Sequence, residues 1–236
     1  MTDITIQAKD GTGDFYAYMA EPQTDQPAAA VIVIQEIFGV NGVMREITDS
    51  LAQSGYIAIC PDLFWRQEPG IVLTDQTDAE WQRAFELFGG FDVDKGIEDL
   101  IASLDYARGL EACNGLVGDI GFCLGGKLAF LMAARSDADC SVSYYGVGLE
   151  ELLDEAKNIT HPLLMHIADQ DKFSSDTAQA QIHAGLKDNE LVSRFVYEGN
   201  DHAFARVGGE HYDTEAAQLA NMRTSNFLAT YLGQDA

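Results

Sequence analysis

The amino-acid sequence predicts an α/β protein with a doubly wound, mainly parallel sheet and helices on both faces. Two observations lead there. Short apolar runs rich in β-branched residues, such as Ala28-Ala29-Ala30-Val31-Ile32-Val33-Ile34, lack the alternation of a half-solvated strand and read as strands buried on both faces. Segments of helical periodicity alternate with these runs almost to the end of the chain, which is what crossovers between parallel strands require.

The first buried strand, 28–34, follows the turn-rich Pro22 to Pro27 region. A helix over 44–54 ends at Gly55, which lacks the Cβ that opposes a left-handed cap, and 56–60 is the next strand, stopped by Pro61. Residues 64–90 read as a longer irregular insertion whose Trp65, Trp81, Phe85 and Phe88 either cap a pocket or simply pack. Then come a helix over 95–108, a strand at 116–120, a helix over 125–134 and a strand at 140–145. The strand 162–167, a helix over 177–186, the strand 193–197 and a last helix over 214–232 complete the order. No linker, repeat or low-complexity tract divides the 236 residues, so 1–236 is expected to be one domain.

Charge and cysteine usage exclude several classes of function. With 38 Asp and Glu against 14 Lys and Arg, the formal net charge is -24, and no basic stripe exists to meet a nucleic acid or an anionic membrane. A hydrophobic fraction of 47% argues against disorder. No basic-then-apolar leader or membrane-length apolar run is present, and Cys60, Cys113, Cys123 and Cys140 show no Cys-x-x-Cys spacing. These features suggest a cytoplasmic protein with reduced thiols and no metal site, in which the sequon Asn158-Ile159-Thr160 has no consequence.

In open α/β sheets the chemistry sits in loops after the strands. Gly121-Phe122-Cys123-Leu124-Gly125-Gly126 lies between a strand and a helix, a nucleophile elbow with Cys in place of Ser. Glycines relieve the tight turn, while the helix N-terminus favours a thiolate and aims the Leu124 N–H at a developing oxyanion. The bland alternative is a small buried hydrophobe, which is the reading given to Cys60, Cys113 and Cys140. Asp169 and Asp171 follow the next-to-last strand, and either can orient an imidazole. His202, in Gly199-Asn200-Asp201-His202-Ala203-Phe204, is the candidate general base; His161, His166, His183 and His211 read as structural. Nucleophile, acid, histidine is the chain order of the α/β-hydrolase fold. In Gln35-Glu36-Ile37-Phe38-Gly39-Val40, the Ile37 N–H is the candidate second oxyanion donor, and Glu36 is either functional or a cap or partner of Arg45.

These segments, together with Cys60-Pro61-Asp62-Leu63, Ser143-Tyr144-Tyr145-Gly146-Val147-Gly148 and Asp201-His202-Ala203-Phe204-Ala205-Arg206, resemble the dienelactone hydrolase (carboxymethylenebutenolidase) family, a cysteine-dependent branch of the α/β-hydrolases. The resemblance covers nearly the whole chain. It implies hydrolysis of a carboxymethylene-butenolide to maleylacetate, a step in the degradation of chlorinated aromatic compounds, with no metal or organic cofactor. It also implies Cys123 as nucleophile, His202 as base, Asp171 as the orienting acid, and Glu36 as a carboxylate that contacts the resting thiol. Arg206 is the candidate cation for the substrate carboxylate, a solvated surface arginine being the alternative; Phe38 and Tyr145 are candidate pocket walls.

The chain departs from the family pattern at three places. Trp81 stands where the family has an arginine, with Arg83 two residues on as a candidate substitute; Ala203 replaces a hydroxyl residue, and Phe85 a tyrosine. Less polar recognition points toward a less charged lactone or ester. The expected partner is therefore a small lactone or ester, anionic if the family substrate applies, bound by a monomer or weak homo-oligomer. Two alternatives stay open: a broader carboxylesterase or thioesterase on the same scaffold, and a non-catalytic thiol redox sensor or ligand-binding module. Any anionic substrate must be bound against the prevailing charge, screened over a Debye length of about 8 Å at physiological ionic strength.

Overall fold

Two strands precede the first one expected. In the computed structural model, which describes residues 1–233, β1 (Thr2–Gln7) and β2 (Asp14–Ala20) form an antiparallel hairpin with Thr2 opposite Met19 and Gln7 opposite Asp14. Their apolar residues, Ile4 and Ile6 in β1 and Phe15, Ala17 and Met19 in β2, alternate in segments too short and polar to stand out in the sequence. The chain forms two compact units, Met1 to Asp119 and Ile120 onward, with β5 (Cys113–Phe122) running from one into the other.

In the first unit, all seven residues of β3 (Ala28–Ile34) are buried, so the strand is covered on both faces as its unbroken apolar run predicts. Asn41 caps α1 (Gly42–Gln53) by accepting from the Met44 N–H. Pro61 does not stop the next strand but ends it: β4 spans Ile57–Pro61, with Pro61 opposite Ala17. A terminal proline forfeits a single ladder donor, which a strand end tolerates. The insertion 64–90, expected to be irregular, contains α2 (Asp78–Gly89). Thr77 Oγ1 accepts from the Glu80 N–H at 3.3 Å and donates to the Glu80 carboxylate at 2.8 Å, a Thr-x-x-Glu cap whose pattern stands in the sequence.

α3 (Val93–Arg108) and α1 pack on β3 and β4, and the strand order in this unit is β1-β2-β4-β3-β5. β3 and β4 are parallel, with Ala30 opposite Ile57. Asp99 of α3, 1% exposed, accepts from the Arg66 guanidinium at 2.7 and 3.0 Å and from Trp65 Nε1 at 2.8 Å. Trp65 also stacks on Phe15, which places it in packing and not in a lid.

The second unit continues from β5 through α4 (Leu124–Arg135), β6 (Ser141–Tyr144), β7 (Leu163–Ala168), α5 (Asp176–Leu186), β8 (Val192–Tyr197) and α6 (Thr214–Leu232). A run of 3₁₀ turns over Leu149–Asn158 was not foreseen from sequence. The order is β5-β6-β7-β8, with β6, β7 and β8 parallel, so the loops after β7 and β8 emerge at one edge. α4 packs on β6 and α6 on β7. No helix among the described residues is long and apolar enough to cross a membrane, and none of the four cysteines forms a disulfide.

Candidate active site

Cys123 sits between the last residue of β5 and the first of α4 with φ 57° and ψ -111°, outside ordinary helix or strand geometry. Such a backbone costs roughly 1–3 kcal/mol and persists only where its surroundings impose it. Here the surroundings are glycines. A Cβ on Gly121 would meet the Gly125 carbonyl oxygen, and one on Gly126 would meet the Tyr144 carbonyl oxygen. The Cys123 N–H donates to that same Tyr144 oxygen at 3.1 Å, and its carbonyl accepts from Lys127 N–H at 3.1 Å. Leu124 opens α4, where a helix leaves its N–H groups without intrahelical acceptors.

His202 and Asp171 come from the loops after β8 and β7. His202 Nδ1 is 2.9 Å from Asp171 Oδ2, both side chains being nearly buried. That bond leaves Nε2 unengaged by Asp171, and Cys123 lies near enough to the ring to act on its ionisation. Burial alone would lower the His202 pKa. The charge of Cys123, the hydrogen bond to Asp171, the hydrogen bond to Cys123 and the charge of Asp171 overcome it, and the imidazole is pushed up to about 10. The second unit therefore bonds Asp171 to His202 and brings Cys123 near the imidazole. Asp169, the other eligible acid, instead accepts from the Asn200 N–H at 3.2 Å and helps tie the two loops together.

Aromatic rings enclose the imidazole. Tyr145, held at φ 37° with its N–H on the His166 carbonyl at 2.8 Å, meets the His202 ring edge-on at 5.1 Å. Phe173 does the same from the other loop at 4.8 Å, a contact the sequence reading missed although Phe173 lies only two residues beyond Asp171. Arg206 is 8% exposed, so the alternative of a solvated surface arginine does not hold. Its backbone closes a turn onto the Ala203 carbonyl, where Ala203 itself has φ 63°.

The other histidines occupy structural positions. Buried His166 bonds the Tyr197 hydroxyl at 2.7 Å and Thr224 Oγ1 at 2.9 Å, and burial pulls its pKa down to about 3. His161 meets Ser141 Oγ, and the His183 carbonyl accepts from Arg194. His211 stands in an exposed cluster with Asp201 and Lys172.

In the first unit, Glu36 and Ile37 are buried directly after β3. Gln35 secures that loop by donating to the Glu36 carbonyl at 3.2 Å and accepting from the Leu63 N–H at 3.1 Å. Arg45, a partner considered for Glu36, donates to the Tyr16 hydroxyl and lies over the Tyr18 ring. Gly39, at φ 75°, lets the loop approach Ile71, and the Leu73 N–H reaches the Phe38 carbonyl at 2.9 Å. Buried Phe38 meets Trp81 edge-on at 5.0 Å, Trp81 stacks on Phe85, and the Trp81 Nε1–H donates to the Asp75 carbonyl. Arg83 is engaged by Glu68 and Glu86.

A mainly parallel sheet with a strained residue between strand and helix, followed in chain order by an acid and a histidine, defines an α/β-hydrolase. Residues 15–232 match the dienelactone hydrolase family, and the chain belongs to that family of hydrolases. It is 50% identical over 243 aligned residues to an Azospirillum brasilense protein provisionally called a carboxymethylenebutenolidase, covering 99% of this chain and 100% of that one. Against the carboxymethylenebutenolidase of Pseudomonas putida it is 43% identical over 226 residues, covering 96% of this chain and 95% of the other. A solved structure from Klebsiella pneumoniae, provisionally called a dienelactone hydrolase, superposes with a TM-score of 0.82 at 26% identity over 99% of each chain.

Proposed function

We propose that this protein hydrolyses the ring ester of a dienelactone, a carboxymethylene-butenolide, through a thioester on Cys123, releasing maleylacetate. The Asp171–His202 bond and the nearness of Cys123, which helps push the imidazole up to about 10, support this reading, because a positioned imidazole beside a cysteine at a helix N-terminus is the arrangement that generates a sulfur nucleophile. Sulfur attacks the lactone carbonyl, and the Leu124 N–H receives the oxyanion. Collapse breaks the ring C–O bond and leaves an enolate whose conjugation makes it a good leaving group.

Thioester formation also removes the sulfur charge that had raised the His202 pKa. The imidazolium then gives its proton to the departing enolate. Neutral His202, still oriented by Asp171, takes a proton from water as it attacks the thioester, and collapse breaks the C–S bond, expelling the Cys123 sulfur as a thiolate beside the imidazolium and so restoring the pair. The assignments of Glu36 to the resting thiol and of Phe38 to the pocket wall rest on the family resemblance, and that of Ile37 to the oxyanion on its place in the loop after the first buried strand. Carboxymethylenebutenolidase relatives at 43% and 40% identity support the substrate class.

Cys123→Ala and His202→Ala should each abolish dienelactone turnover while the protein stays folded by circular dichroism. Hydrolysis retained in either variant would overturn the assignment. The stacked Trp81 and the doubly paired Arg83 favour a second, broader reading in which neutral esters are also accepted. Comparing kcat/KM for carboxymethylene-butenolides, neutral lactones and aryl esters decides between them.

A further inference from the structure

We propose that Asp201 is a positioning residue that sets the alignment of His202 with Asp171. One carboxylate oxygen, Oδ1, accepts from the His202 N–H at 2.6 Å and from the Lys172 N–H at 3.1 Å. These are the backbone of the histidine and of the residue next to Asp171. A single atom thus joins the loop after β8 to the loop after β7 at the two places whose side chains must meet. The other oxygen faces outward to His211 Nε2 at 3.4 Å, and Lys172 Nζ lies 3.0 Å from the same nitrogen. That outer cluster is exposed and salt-screened, so it contributes little.

The alignment needs such a tie. Loops are the softer parts of a fold, Ala203 follows His202 in a strained left-handed conformation, and the imidazole must satisfy Asp171 and Cys123 together. Gln170 N–H to the Asn200 carbonyl at 2.9 Å and Asn200 N–H to Asp169 are further ties between the loops, but they reach only Asn200, two residues before His202, whereas Asp201 holds the His202 N–H itself. Removing Oδ1 leaves two backbone donors without their acceptor and frees the histidine to shift.

The inference rests on the Cys123–His202 pairing proposed above, and its test has one readout that needs no substrate: the rate of Cys123 alkylation by iodoacetamide across pH. The second is hydrolysis of p-nitrophenyl acetate. Asp201→Ala should lower kcat by about 10–100-fold with KM little changed, the scale that small misplacements produce, and should slow Cys123 alkylation at neutral pH. Asp201→Asn keeps an oxygen acceptor at the same place and should stay within about threefold of the parent in both assays. His211→Gln should leave both readouts unchanged. If Asp201→Ala does not fold, Asp201→Ser, too short to reach Lys172, replaces it. Parent-like values in the Ala variant, an Asn variant as impaired as Ala, or a fall in kcat without a change in alkylation would each overturn the proposal. Failure of the thioester reading shows separately, as hydrolysis that survives Cys123→Ala.

Discussion

Asp171 divides its carboxylate between two loops: Oδ2 meets His202 Nδ1 at 2.9 Å, while Oδ1 accepts from the Phe173 N–H at 2.9 Å. The second bond holds the carboxylate so that the first can orient the imidazole. Asp171→Asn should therefore reduce kcat by at least about 100-fold, in line with the usual worth of positioned acid–base groups. The pH profile carries a sign as well. Asp171 helps raise the His202 pKa toward about 10, so its loss should move the high-pH limb of thiolate–imidazolium reactivity downward. Alkylation and kcat/KM measured from pH 5 to 11 check this, and an unmoved limb counts against the pair.

The elbow glycines lead to a stability prediction. A Cβ at Gly121 or Gly126 would run into backbone oxygens that cannot turn aside, so Gly121→Ala and Gly126→Ala should each destabilise by about 1–3 kcal/mol or more. Both should also displace Cys123 and reduce turnover. Gly42 is the internal control, because it lies at the start of α1 with no atom within 4 Å of its virtual Cβ. Gly42→Ala should be neutral or stabilising by up to about 1 kcal/mol. Urea unfolding of the three variants tests the contrast.

Buried His166 should shape acid denaturation. Its folded pKa is about 3 against 6.5 for the free side chain, so the unfolded chain binds the extra proton first as pH falls. The contribution is fully present above about 6.5 and is lost progressively between 6.5 and 3, with a slope of at most about 1.4 kcal/mol per pH unit. His166→Gln should be less stable at pH 7 and should lose less stability between pH 6 and 4. Equal slopes for the two proteins in urea titrations would sink this account.

Arg206 and Arg83 should separate in a substrate panel. Arg206 is buried next to the histidine loop, whereas Arg83 is tied to Glu68 and Glu86 on α2 and its surroundings. Arg206→Met should raise KM for a carboxylate-bearing lactone by about 10-fold or more while sparing neutral aryl esters, since a buried charge-assisted contact is worth about 1.5–3 kcal/mol. Arg83→Gln should alter neither class selectively. An equal loss on both substrate types in Arg206→Met would remove it from carboxylate recognition.

Much of the layout was legible before any coordinates. Uninterrupted apolar runs announced β3 and the buried strands because full burial on two faces imposes an unmistakable composition. The β1–β2 hairpin and the 3₁₀ run 149–158 escaped, since short segments with mixed polarity carry little period. α2 was missed within an expected loop even though Thr77 and Glu80 carry its cap, because the exposed Phe85 and Phe88 obscured its periodicity.

At the site, the sequence by itself determined the residue types, their order and their place at strand ends: Cys123 in a glycine elbow, then the acids of the β7 loop, then His202. These are properties of local spacing, and local spacing is what a sequence displays. Only the tertiary structure decided that Asp171 and not Asp169 meets the imidazole through a side-chain bond, that Arg206 is buried, and that Asp201 laces the two loops. Those choices span about thirty residues of chain. They depend on where parallel strands and their loops come to rest, and no local pattern encodes a contact between groups that meet only after folding.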